Sequence, residues 1–143
     1  MPAIRSGTLL ALDVGEKRIG VARASMSVRI AQPLVTLSND AEFLAGLKAI
    51  IVQEDVSELV IGYPRGLHGQ STHQTEYVEV FSAQLKTLEL PIHFQDEAVT
   101  SEKAESELKS RGKNYRKEDI DALAATYILE DYLGEHEAEF TKQ

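Results

Sequence analysis

Between Thr8 and Leu37 the chain carries three short apolar runs separated by turns too brief to hold a helix, which confines this part of the sequence to antiparallel strands. Thr8 to Val14 is apolar and followed by Gly15, and Gly20 to Ser25 reads as its hairpin partner across "GEKRI". Ile30 to Leu37 is a third strand. Its Pro33 has no N–H to donate to a ladder, so the strand is expected at a sheet edge.

Beyond Leu37 the period changes. After the cap candidates Ser38 and Asn39, the apolar residues Phe43, Leu44, Leu47, Ile50 and Ile51 share one helical face. Leu59 to Gly62 is a brief apolar strand, followed by the loop "YPRGLHGQS". Val78, Phe81, Leu85 and Leu88 mark a second helix, and "PIHFQDEA" a further strand opened by Pro91. Thr100 or Ser101 caps a third helix that stops near Gly112, and a last helix runs from about Asp119 to Leu133. Strands joined by short turns pair antiparallel, whereas strands separated by a helix return parallel through a right-handed crossover. The order therefore predicts an α/β fold with a mixed sheet, and without a repeat, linker or low-complexity segment residues 1–143 read as one domain.

Composition narrows the function. There is no cysteine, which excludes disulfides and thiolate metal sites. No apolar run approaches the roughly 20 residues of a membrane span, and the N-terminus lacks the apolar core of a signal peptide, so a cytoplasmic location with no membrane partner is expected. The net charge of −8 argues at first against a nucleic-acid partner, yet half of it lies from Glu130 onward, where the net is −4. Lys109, Arg111, Lys113, Arg116 and Lys117 form a basic cluster uninterrupted by acids. Such a cluster suits an electrostatic track for phosphates, or equally a solvated face.

Acids occupy the positions where α/β sheets place function, beyond the carboxyl ends of parallel strands. Asp13 ends the first strand, and Asp96 and Glu97 end the last. Asp121, Ala125, Ile128 and Tyr132 share one helical face that is apolar apart from Asp121, and Ala122, Ala124 and Ala125 are small enough to let this helix lie close to the sheet. Asp13, Glu97 and Asp121 are thus expected to converge, although each alone is also an ordinary turn, solvated or helix-start acid. Carboxylates gathered without cysteine suit a hard cation, Mg2+ or Mn2+, as one ion or two. The glycines at 62, 66 and 69 lack the Gly-Lys-Ser/Thr that a P-loop requires, and His68 and His73 are expected to be surface bystanders.

The segments "ALDVGEKRIGVA", "IGYPRGLHGQS", "DEAVTSEKA" and "DALAATYILEDYL" resemble, in order and over nearly the whole chain, the YqgF/RuvX family. The resemblance implies an RNase H-like fold: a five-stranded mixed sheet of three antiparallel and two parallel strands, flanked by helices. It implies a metal-dependent nuclease that matures the 5′ end of the small-subunit ribosomal RNA precursor, with a Holliday junction resolvase-type DNase as the alternative. It places the family's acids, as catalytic residues and metal ligands, on Asp13, Glu97 and Asp121, with Asp96 and Asp119 as neighbours. Lys17 and Arg18, in the turn directly after Asp13, are then in reach of substrate phosphates, or equally belong to a plain exposed hairpin. With Arg111, Lys113 and Arg116 these form the expected substrate-binding set. RNA is favoured over branched DNA as the partner, and the chain is expected to be a monomer or a homodimer.

Two departures matter. The family usually reads Asp-Glu-Arg where this chain has Asp96, Glu97 and Ala98, and Met-Asp-Gly where it has Leu67, His68 and Gly69. The missing guanidinium could have held a phosphate, which keeps open a non-catalytic RNA- or protein-binding module on the same fold. A third reading, the phosphate hairpin of actin-like ATPases, needs two such domains around a nucleotide and does not suit this length.

Overall fold

A computed structural model of the chain describes residues 6–64, 73–97, 101–112 and 114–141. Five strands form one sheet: β1 (Thr8–Val14), β2 (Arg18–Ser25), β3 (Gln32–Ser38), β4 (Val56–Pro64) and β5 (Ile92–Glu97), in the order β3-β2-β1-β4-β5. β1–β2 and β2–β3 pair antiparallel, β1–β4 and β4–β5 parallel, as the strand order in the sequence requires. The helices are α1 (Phe43–Gln53), α2 (His73–Ser82, continued by a 3-10 turn Ala83–Leu88), α3 (Ser101–Ser110), α4 (Lys117–Glu135) and α5 (Glu137–Thr141). No helix is long and apolar enough to cross a membrane among the described residues.

Both faces of the sheet are buried, which is why its central strands are apolar runs rather than alternating ones. Leu10, Leu12, Ile19, Val21, Leu59 and Ile61 point to α1 and α2 and meet Phe43, Leu47, Val78, Phe81 and Leu85. Leu9, Ala11, Ala22, Ala24 and Val60 point the other way, against Ala125, Ile128, Leu129 and Tyr132 of α4. Each fully buried Leu or Ile contributes about 1.5–3 kcal/mol. The α4 face is lined with small residues, and α4 lies across β2, β1 and β3 as a result. Closest approach falls at Gly20, where a Cβ would stand 1.9 Å from the carbonyl oxygen of Asp121, and at Gly62, where it would stand 2.5 Å from Ile128 Cδ1.

β3 is an edge strand, as Pro33 demands. The β2–β3 register shifts between Val21 and Ala22, with Val21 opposite Val35 and Ala22 opposite Pro33, a bulge that spares the ladder a missing donor. Elsewhere the structure corrects the expectations. β4 begins at Val56 rather than Leu59, because Ser57 and Glu58 are polar yet paired: Ser57 Oγ donates to Ser6 O, and Glu58 Oε1 lies 2.7 Å from His93 Nε2 of β5. Neither expected cap residue caps α1. Ser38 pairs with Arg18 in the β2–β3 ladder, and it is Asp40 that accepts the Glu42 N–H at 2.9 Å. α4 starts at Lys117, where the Asp119 carboxylate accepts the Arg116 N–H at 2.9 Å, so Asp119 is a helix-start residue rather than a neighbour of the acid cluster. The short α5, too brief for periodicity to register, follows α4 after one residue.

Candidate active site

The turn from β1 to β2 sits at the carboxyl end of the central strand, and its shape is set by backbone and by one side chain. Gly15 N donates to Arg18 O at 3.0 Å, closing the turn. Asn39 holds it from outside: its N–H donates to Lys17 O at 2.9 Å, and its Nδ2 to Gly15 O at 2.8 Å and to the Tyr77 hydroxyl at 2.9 Å. Asn39 was expected to cap a helix; its actual work, fastening the turn to α2, has no local sequence signature because both partners are remote.

Strand alternation puts Asp13, Gly20 and Arg18 on the α4 face. Asp13 lies opposite Gly20, and the missing side chain of Gly20 lets the α4 backbone at Asp121 settle against β2. Asp13 and Asp121 are thereby brought together, as expected. Burial raises the Asp13 carboxyl to about 6, and the negative charge of Asp121 adds to the effect. Arg18 answers that charge: its Nε donates to Asp121 Oδ2 at 2.6 Å, between side chains 33% and 18% exposed. Arg18 was expected to meet substrate phosphates, whereas its nearest anion here is the acid on α4. Lys17, next to it, is exposed.

Glu97 does not join this pair. Its level on the sheet is the reason: Leu12 is opposite Ile61 and Gly62 opposite Gln95, so Glu97 lies two residues past Asp13 and two strands away. That is roughly 7 Å along the strands and 10 Å across them. α4 crosses the sheet obliquely, and Glu97 meets Asp131, ten residues and roughly 15 Å along the helix from Asp121. Burial pushes the Glu97 carboxyl well above the carboxylate range, followed by a hydrogen bond to Asp131 and the charges of Asp131 and Glu135, with Lys103 opposing. Glu97 Oε1 is buried without a hydrogen-bond partner among the described residues. Nearby, Gln95 Nε2 donates to Glu135 Oε2 at 2.7 Å and ties the end of α4 to β5. The expected cluster of three is therefore a pair and an outlier, and among the described residues no group of three acids or histidines is set to hold a metal. Asp96, by alternation, faces away from α4.

The basic residues partly assemble. Arg111, paired with Glu107, and Arg116, at the start of α4, both line a groove of about 490 Å3 with Leu34, Leu108 and Leu123. This groove borders the first turn of α4, so the two arginines lie on the same end of the helix as Asp121. Lys113, His68 and Ala98 lie outside the described residues, and His73 is an exposed residue opening α2.

The mixed five-stranded sheet in this order, with an acid ending its central strand and a second delivered by a helix packed across it, is the α/β architecture that the family resemblance implies. The chain belongs to the RuvX family: the family model described as "RuvX: Holliday junction resolvase" matches residues 7–135. A protein of Crocosphaera subtropica named "Putative pre-16S rRNA nuclease" is 41% identical over 134 residues, covering 90% of this chain and 94% of that protein. Proteins of the same name from Moorella thermoacetica, at 41% over 133 residues, and Chloroflexus aurantiacus, at 38% over 130, cover 93% and 85% of their own lengths and 87% of this chain.

Proposed function

We propose that this chain is a nuclease that hydrolyses phosphodiester bonds in the 5′-end processing of the small-subunit ribosomal RNA precursor, a reaction of the cytoplasm. The observation that carries the reading is the half-buried Asp13–Asp121 pair: two carboxylates held together at a cost in charge that a divalent cation would remove. The relatives named for pre-16S rRNA favour RNA as the substrate.

The donor set fits a hard metal ion, since both groups offer oxygens only, the chain has no cysteine, and no histidine among the described residues is buried. Asp13 and Asp121 would hold Mg2+ or Mn2+, and the ion would supply an activated water and charge stabilisation at the scissile phosphate. The chain's own residues do the rest. Gly20 sets the spacing of the two acids, Asn39 fastens the turn that presents Lys17, and Arg111 and Arg116 offer cations to the flanking phosphates along the groove beside α4. Glu97, paired with Asp131, stands outside the metal pair in this arrangement.

The test is the purified chain with Mg2+ or Mn2+ on a precursor-like RNA, a matched single-stranded DNA and a four-way junction. Cleavage of the RNA that disappears in Asp13→Asn supports the reading. Preferential cutting of the junction would favour resolvase chemistry instead, the reading suggested by the family description. No cleavage of any substrate, with binding retained, would mark the chain as a non-catalytic module, a reading favoured by the outlying position of Glu97.

A further inference from the structure

Arg18 is placed where a metal ion would have to compete with it. Its backbone is fixed twice, by pairing with Ser38 in the β2–β3 ladder and by accepting the Gly15 N–H at 3.0 Å. Asp121 is fixed from the other side by the contact of its backbone with Gly20. The ion pair between them, Nε to Oδ2 at 2.6 Å, joins two anchored residues, and Glu118 on the same helix adds a second negative charge near the guanidinium. A guanidinium carries five N–H donors, of which this contact uses one. The Arg18 side chain as a whole is a third exposed, beside the turn that carries Lys17.

We propose that Arg18 is a built-in counter-cation of Asp121 that competes with the divalent ion for this carboxylate and is freed toward substrate phosphate when the ion arrives; this rests on the metal-site reading above. The electrostatics support it. Asp13 and Asp121 together carry two negative charges against one guanidinium, and a divalent ion satisfies both carboxylates where Arg18 reaches only one. An oxygen of Asp121 that serves the ion cannot keep the same short charge-assisted bond to Nε, so binding one cation weakens the hold on the other. The device keeps the metal-free pair folded and delays delivery of Arg18 to phosphate until the site is charged.

The experiment is Mn2+ titration of the full chain by calorimetry, without nucleic acid, for the wild type, Asp13→Asn, Arg18→Gln, Arg18→Lys and Lys17→Ala. Arg18→Gln should bind Mn2+ about tenfold more tightly than wild type, the scale of one charge-assisted hydrogen bond. Lys17→Ala removes a charge from the same turn without touching Asp121, and should leave the affinity within about twofold. Equal tightening by both variants would reduce the effect to general charge, and unchanged or weaker binding by Arg18→Gln would overturn the proposal. Nitrogen-15 NMR of the wild type guards against misfolded variants: the Arg18 Nε–H signal, assigned by its loss in Arg18→Lys, should shift on saturation with Mg2+. A signal unmoved at saturation overturns the proposal as well. If neither wild type nor Arg18→Gln binds Mn2+ in an Asp13-dependent way, the metal-site reading itself falls and takes this one with it. Asp13-dependent binding that Arg18→Gln leaves unchanged sinks the competition alone.

Discussion

Replacing Asp13 by asparagine should make the metal-free protein more stable at neutral pH while destroying its function. Burial and Asp121 raise the Asp13 carboxyl from 3.8 to about 6 in the folded chain. Below pH 3.8 the group is protonated whether the chain is folded or not, and it contributes nothing. As pH rises from there the unfolded chain releases the proton first, so the folded state loses stability until about pH 6, beyond which the loss is complete. A shift of this size corresponds to about 3 kcal/mol, and partial solvent contact reduces the expected gain on removing the charge to about 2 kcal/mol. Asparagine keeps the shape and never ionises. Urea unfolding in a chelator, at pH 3.5, 5, 6 and 7.5, should therefore show no gain at the lowest pH, a rising gain through the middle, and a plateau above. With saturating Mg2+ the ranking should reverse, because only the wild type gains binding free energy on folding. A variant less stable than wild type at pH 7.5 in chelator, or a difference independent of pH, would refute the assignment of Asp13 as a strained, metal-awaiting carboxylate.

Gly20→Ala should be severely destabilising, by about 3 kcal/mol or more, since the added methyl would overlap the Asp121 carbonyl at 1.9 Å and lever α4 off β2; near-wild-type thermal stability would show that α4 is not so closely seated. Arg111→Ala with Arg116→Ala should weaken single-stranded RNA binding in Ca2+ and lower the log-log salt slope by about 0.7 for each phosphate the arginines neutralise, whereas an unchanged slope removes the groove beside α4 from the substrate path. Glu97→Gln should leave Mn2+ affinity within about threefold of wild type, while Asp13→Asn and Asp121→Asn each abolish tight binding and add nothing to one another. A loss in Glu97→Gln as large as in Asp13→Asn would mean that Glu97 leaves Asp131 and joins the pair when metal binds.

Patterns that act within a few residues of one another were readable directly. The antiparallel start, the edge position forced by Pro33, the helices between parallel strands and the small-residue face of α4 all follow from period and steric limits, and the structure repeats them. Family motifs carried the acids onto Asp13, Glu97 and Asp121, and the fold does set the first and last of these together. What remained hidden depends on register and crossing angle. Whether Glu97 meets Asp13 or Asp131 is decided by a two-residue offset between β1 and β5 and by the oblique path of α4, quantities that no local pattern encodes. Asn39 reads as a cap because its preference for caps is intrinsic, but a turn and a tyrosine hydroxyl from elsewhere offered it more hydrogen bonds. Arg18 looks from sequence like a free cation in a hairpin, and only packing at Gly20 brings an aspartate from 103 residues away within 2.6 Å of it. Local sequence determined which segments are strands and helices because propensity and periodicity are short-range; which charges face each other was left to the tertiary structure, because it is set by how closely two backbones can approach.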